Sequence, residues 1–230
     1  MRNLESSILF SLPFLGYQPA DISNGEPALT AGNIIKQTML GAPFKWPWNR
    51  SEITTALTNA QDYLIPATNF GYLEQAWLTD PLGKVKEIAV KNSLAAESAV
   101  QRPQSVAVEM QDDEGIILRF NTIPDQAYIF TGFFQRAPLL MTSTASSWSP
   151  IPDNLGYIYD WGYLGMLSMI TKDIRQPLFL QKFVSHLLGA QDGITALQRN
   201  IFLGDFLSVM ASPERTNADL QQGVQARSAT

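Results

Sequence analysis

The spacing of apolar residues changes twice along the chain. A helical period runs to about Gly41, an alternating strand period fills Phe44 to Leu140, and a helical period returns after Pro152. In the first part, Ile8, Leu9, Leu12 and Leu15 stand at helical spacing within Glu5 to Leu15, ahead of Gly16 and Pro19. Pro27 suits the first turn of a second helix, where its missing N–H costs nothing. Leu29, Ile34, Ile35, Thr38 and Met39 would form one face of that helix, and Gly41-Ala42-Pro43 would end it.

The middle part predicts six or seven short strands. Trp46-Pro47-Trp48 reads as an aromatic hinge. Ile53 to Leu57 and Tyr63 to Ile65 look like two strands joined by a turn at Thr58-Asn59-Ala60. Tyr72 to Leu78 and Lys84 to Val90 form a second hairpin about Asp80-Pro81-Leu82-Gly83. Ser105 to Met110 and Gly115 to Phe120 flank the acidic loop Gln111-Asp112-Asp113-Glu114, and Ala127 to Phe134 makes a further strand. Short strands at this spacing suggest a small sandwich or barrel. Met141 to Ser149, rich in Ser, Thr and Ala, is the linker out.

Asn154 to Ile170 is apolar nearly all round and should be a central helix touched on every side. Leu178 to Leu188 carries Phe179, Phe183 and Leu187 on one stripe. Ile194 to Met210 carries Leu197, Ile201 and Val209 within a face. The helix after Pro27, the central helix and the two last ones make four. The expected fold is therefore α+β: an antiparallel four-helix bundle (one N-terminal and three C-terminal helices) with an inserted small antiparallel β-sandwich or barrel. The bundle would take residues 1–43 and 150–211, the β domain 44–149, and a flexible C-terminal arm 212–230. After Pro213 apolar residues are too few to bury a core.

Composition narrows the function classes. Only 16% of the 230 residues are charged, against 45% hydrophobic, where soluble domains average about 25% charged. Subunit contacts are depleted of charge and enriched in aromatic residues and Met, and this chain holds five Trp, twelve Phe, seven Tyr and seven Met. A well-filled monomer core would look the same. The net charge of −5 shows no basic stripe, which argues against tight phosphate neutralisation. The absence of Cys excludes a disulfide framework, a thiolate metal site and a Cys nucleophile. Neither a signal-peptide layout nor a run of the ~20 apolar residues a membrane span needs is present. A soluble protein made inside the cell, with no membrane partner, is expected.

Catalytic motifs are scarce. His186 is the one imidazole and lies beside Leu187 on a helical stripe, where a structural role explains it better than a triad. No His-x-x-x-His pair, phosphate loop or Gly-x-Ser-x-Gly elbow occurs. Asp112-Asp113-Glu114 offers a hard-cation site or a solvated turn. Glu74, Glu87, Glu97 and Glu109 are available for glycoside cleavage, but the sequence places no two of them together. Trp46, Trp48, Trp77, Trp148 and Trp161 show no spacing that lines up a stacking platform. The chain is read as a non-enzyme with no catalytic, cofactor or metal residues and no cofactor.

Several stretches carry a resemblance. Thr54-Thr55-Ala56-Leu57-Thr58-Asn59-Ala60-Gln61-Asp62-Tyr63-Leu64-Ile65-Pro66 looks like a threonine run, turn and Gln-Asp-Tyr entry seen in structural proteins of tailed bacteriophages. Arg102-Pro103, Ile116 to Phe120, Ile123-Pro124-Asp125, Tyr128 to Phe134 and Gln135 to Pro138 are similar to the strands that follow there. The exit through Ile151-Pro152-Asp153 into a helix with Tyr157 and Trp161, and the later Asp173-Ile174-Arg175, continue the order. Loosely over Thr54 to Gln191, the chain resembles the head-to-tail adaptor, or neck, proteins of these phages. That resemblance implies a ring, commonly dodecameric, beneath the capsid portal in the virion neck, with genomic DNA passing through its lumen without sequence-specific binding. It also implies copies of the chain, the portal protein and a tail or nozzle protein as partners. A portal-binding role for the C-terminal arm would fall on Arg215, Leu220, Val224 and Arg227. Two alternatives stand beside it: a tail-completion or tail-tube component, and a cell-wall glycoside hydrolase or carbohydrate-binding module.

Overall fold

The computed structural model describes residues 3–16, 26–95, 97–111, 115–146, 150–191 and 194–210. Among them run five α-helices and seven strands: α1 (Leu4–Leu15), α2 (Glu26–Leu40), β1 (Arg50–Leu57), β2 (Asp62–Ile65), β3 (Phe70–Thr79), β4 (Val85–Lys91), β5 (Ser105–Gln111), β6 (Ile116–Phe120), β7 (Tyr128–Arg136), α3 (Gly156–Ile170), α4 (Gln176–Gly189) and α5 (Ala196–Met210).

The helices bury one cluster of side chains. Asn3 caps α1 by accepting from the Ser6 N–H at 3.1 Å, and Gly16, at φ +69°, closes its other end with an N–H to the Leu12 carbonyl. Leu4 and Ile8 then pack inward, and the Ser7 hydroxyl donates to buried Asp160 on α3 at 2.9 Å. The inward face of α2 is Ala28, Ala31, Ile35 and Met39, whereas Ile34, expected on that face, is partly exposed. α3 is buried on nearly every side, from Ile158 to Ser168. α4 adds Phe179, Leu180, Phe183 and Leu187. α5 reaches this cluster through Phe202, whose ring meets Phe44 at 4.9 Å, while Leu197 and Ile201 face solvent.

The strands bury a second cluster. All seven contribute to it, from Ile53 and Leu57 on β1 to Tyr128, Phe130 and Phe134 on β7. They form one nearly closed sheet in the order β1-β7-β3-β4-β5-β6-β2. The Asp80 turn between β3 and β4 is held by Asp80 Oδ1, which accepts the N–H groups of Leu82 and Lys84 at 3.0 and 2.8 Å, with Gly83 at φ +80°.

This architecture corrects the expectation of a four-helix bundle carrying a small antiparallel sandwich. A fifth helix belongs to the helical cluster, because α1 lays Leu4 and Ile8 against it. The sheet is mixed rather than antiparallel. β4 and β5 run parallel, Ala89 opposite Ser105 and Lys91 opposite Ala107. The chain 92–104 between them is long enough for a crossover, as a parallel pair requires. β1 and β2 do not form a hairpin either. β1 pairs with β7 and β2 with β6, so the two consecutive strands take opposite edges of the sheet. The link 58–61 is held instead by Tyr63, whose hydroxyl accepts the N–H groups of Thr58 and Ala60 at 2.9 and 3.2 Å.

Candidate functional site

A connected set of buried polar groups lies where the hinge meets the sheet. Trp46 is buried; its indole N–H donates to the Met39 carbonyl at 2.6 Å and its ring tilts against Trp48 at 5.1 Å. Its backbone N–H donates to Gln135 Oε1 at 3.2 Å. The Gln135 amide in turn donates to Glu74 Oε2 at 2.9 Å. Arg50 completes the set with two bonds to the same carboxylate, Nε at 3.1 Å and Nη2 at 2.5 Å. Pairing explains the convergence: Arg50 and Tyr72 both lie opposite Gln135 across β7, which puts β1 and β3 on either side of it.

The Glu74 side chain is only 3% exposed. Burial works to raise its pKa, but the bonds from Arg50 and Gln135, with the charges of Arg50 and Lys45, outweigh this and hold it below the usual carboxylate range. A carboxylate that accepts three such bonds and stays ionised serves as a structural anchor rather than as a general acid. Tyr72 donates its hydroxyl to the Phe44 carbonyl, and burial raises its pKa. Asn49 donates to the Arg136 carbonyl at 2.9 Å, and Arg136 returns bonds to the carbonyls of Asn49 and Trp48 at 3.4 and 3.2 Å. These groups clamp the helical part to the end of the sheet.

The residues weighed for catalysis are dispersed. Glu109 shares Arg119 with Asp62: the guanidinium lies 2.8 Å from Asp62 and 3.9 Å from Glu109. That hydrogen bond lowers the Asp62 pKa. Glu87 and Glu97 are exposed. His186 is exposed rather than packed into the stripe with Leu187, and its ring stands edge-on to Tyr157 at 5.2 Å. Among the described residues no group of three or more His, Cys, Asp or Glu could hold a metal ion, and no helix is long and apolar enough to cross a membrane. Trp77 packs on Phe133 at 5.2 Å, and Trp161 sits among Phe10, Phe14 and Phe179 with Lys182 over its face at 4.3 Å. Asp112-Asp113-Glu114, Trp148 and the arm residues Arg215, Leu220, Val224 and Arg227 lie outside the described residues.

A second kind of candidate is apolar. Ile170, Ile174 and Leu178 fall at every fourth residue across the α3–α4 connection, all exposed, Ile174 by 94%. Leu197 and Ile201 repeat the spacing on α5, Leu197 with 68% of its surface in solvent. No protein-family model matches the chain, and no curated protein matches it at a significant level.

Proposed function

We propose that this chain is a virion assembly protein, a head-to-tail adaptor whose copies close into a ring beneath a portal and join capsid to tail. The observation that carries the reading is the exposure of the apolar side chains Ile170, Ile174 and Leu178 about the α3–α4 connection and of Leu197 and Ile201 on α5, on a charge-poor chain. Such side chains gain from a neighbour, at about 25 cal/mol per Å² buried. In a closed ring each copy offers one patch to a different patch on the next, so exposed apolar side chains need no twin at the facing position. The resemblance over Thr54 to Gln191 supplies the choice of ring. The engagement of Glu74 by Arg50 and Gln135, the exposure of His186 and the pairing of Asp62 and Glu109 with Arg119 weigh against the hydrolase alternative. On this reading the arm after Pro213, with Arg215, Leu220, Val224 and Arg227, binds the portal, and DNA passes the lumen without being gripped.

The test is assembly on portal rings, read by electron microscopy and native mass spectrometry. The intact chain should add one dodecameric ring per portal. Ile174→Asp combined with Leu197→Asp should abolish the added ring while circular dichroism stays that of the parent. If the double variant assembles as the parent does, or if the parent never joins a portal, the proposal fails.

A further inference from the structure

Lys36 is a charge without a partner among the described residues, its Nζ reached by solvent only through a hollow. It lies on α2 with 2% of its surface exposed. Burying an isolated ammonium is strongly unfavourable unless a counter-charge or hydrogen bonds compensate it. Burial alone accordingly pushes its pKa down, with no neighbouring charge helping or opposing. Most buried lysines in folded proteins are paired. This one instead lines a cavity of about 220 Å³ open to solvent.

The cavity has a definite origin. Asn33, one helical turn before Lys36, brackets Met141: its amide donates to the Met141 carbonyl at 3.0 Å and its carbonyl accepts the Met141 N–H at 2.7 Å. That pair ties the chain leaving β7 alongside α2 and leaves a hollow between them. Arg136 lines the hollow as a second cation. Its Nε and Nη2 are held by the carbonyls of Asn49 and Trp48, which fixes the guanidinium plane and leaves Nη1 uncommitted among the described residues. Asn69 also lines it, with a backbone carbonyl that accepts from Ala137 at 2.8 Å and a side-chain amide that makes no bond among the described residues. The other walls are mostly apolar, chiefly Leu139, Leu140, Met141 and Pro150, with Ser146 as the polar exception, and among the described residues no Asp or Glu lines the space.

We infer that this cavity is a carboxylate-binding site, in which Lys36 and Arg136 take the charge and the leucine and methionine walls take an apolar stem. A carboxylate matches better than a phosphate. It is a planar monoanion that the Arg136 Nη1 and one ammonium can satisfy. Its hydrocarbon stem suits the leucine and methionine walls, which a free phosphate dianion would leave bare. A bound carboxylate restores the counter-charge Lys36 lacks. The inference does not depend on the adaptor reading, since a free carboxylic acid or an acidic side chain of a neighbour would meet the same groups.

The experiment titrates butyrate into the full chain by calorimetry, with 1-butanol and inorganic phosphate as parallel probes. Saturable butyrate binding in the millimolar range is expected for so small a ligand. 1-Butanol, its uncharged shape-mate, should bind at least tenfold more weakly, and so should phosphate. Lys36→Met should cut butyrate affinity at least tenfold without lowering the thermal midpoint, because it replaces an uncompensated charge with an apolar chain of similar length. Leu139→Glu, at an exposed rim position, should compete from within and reduce affinity comparably in a chain whose Lys36 is intact. No butyrate binding, equal binding of 1-butanol, tighter binding of phosphate, or unchanged affinity in both variants would each overturn the assignment.

Discussion

Arg50 and Glu74 are separated by a whole strand, yet among the described residues they make the ion pair with the most buried carboxylate. The carboxylate is nearly fully buried, so removing its partner strands a charge rather than merely deleting an attraction. Arg50 itself keeps 34% of its side chain in solvent, which moderates the loss. Arg50→Ala should lower unfolding free energy by about 2 kcal/mol, measured in urea, and an unchanged midpoint would mean water replaces the guanidinium without cost. Asp173 makes a different case. Bonds from the Arg175 side chain and then its backbone N–H hold its pKa down to about 2, well below the usual carboxylate range. Arg175 also donates to the Phe14 carbonyl at the end of α1, at 2.6 Å. A depressed carboxylate contributes stability that is complete above the unfolded value and disappears as pH falls through the folded one. A carbon-13 titration should therefore find the Asp173 carboxyl still ionised at pH 3, with the Arg175–Phe14 bond loosening only near pH 2. At this scale the sequence supplied residue types and withheld partners. Glu74 was one of four equivalent carboxylates, and nothing local marked Arg50 as its mate, because the two meet only through the register of Gln135.

Among the elements, α3 depends on what it lacks as much as on what it buries. A Cβ at Gly162 would stand 2.8 Å from both Ile35 and Phe183, and one at Gly165 would run into Leu180. The two glycines let α2 and α4 close on the central helix. Gly165→Val should cost about 2–3 kcal/mol through overpacking, and adding Leu180→Ala should return part of it, giving a coupling of about 1 kcal/mol in a double-mutant cycle. Strictly additive effects would show that the helices part freely. That α3 is central was legible from its apolar residues on every side. That Leu197 and Ile201 on α5 face solvent was not, since a helical period marks a face without saying whether anything covers it. The β1–β2 hairpin failed for a related reason. Turn residues at 58–60 permit a reversal, but pairing energy comes from cross-strand neighbours, and β1 finds its own along the whole of β7.

For the whole molecule, the pattern of periods fixed the order of parts: helices, then strands with the Asp80 turn in place, then helices. Alternation and 3.6-residue spacing are properties of neighbouring side chains, and they survive without any long-range contact. Tertiary structure alone decided that α1 joins the helical cluster, that β4 and β5 lie parallel, that consecutive β1 and β2 end at opposite edges, and that Lys36 faces a hollow with Arg136 beside it. Each of those outcomes depends on which distant segments share a surface. The free energy of burial and pairing that selects among such arrangements belongs to the pair of segments, and so is written in neither one of them.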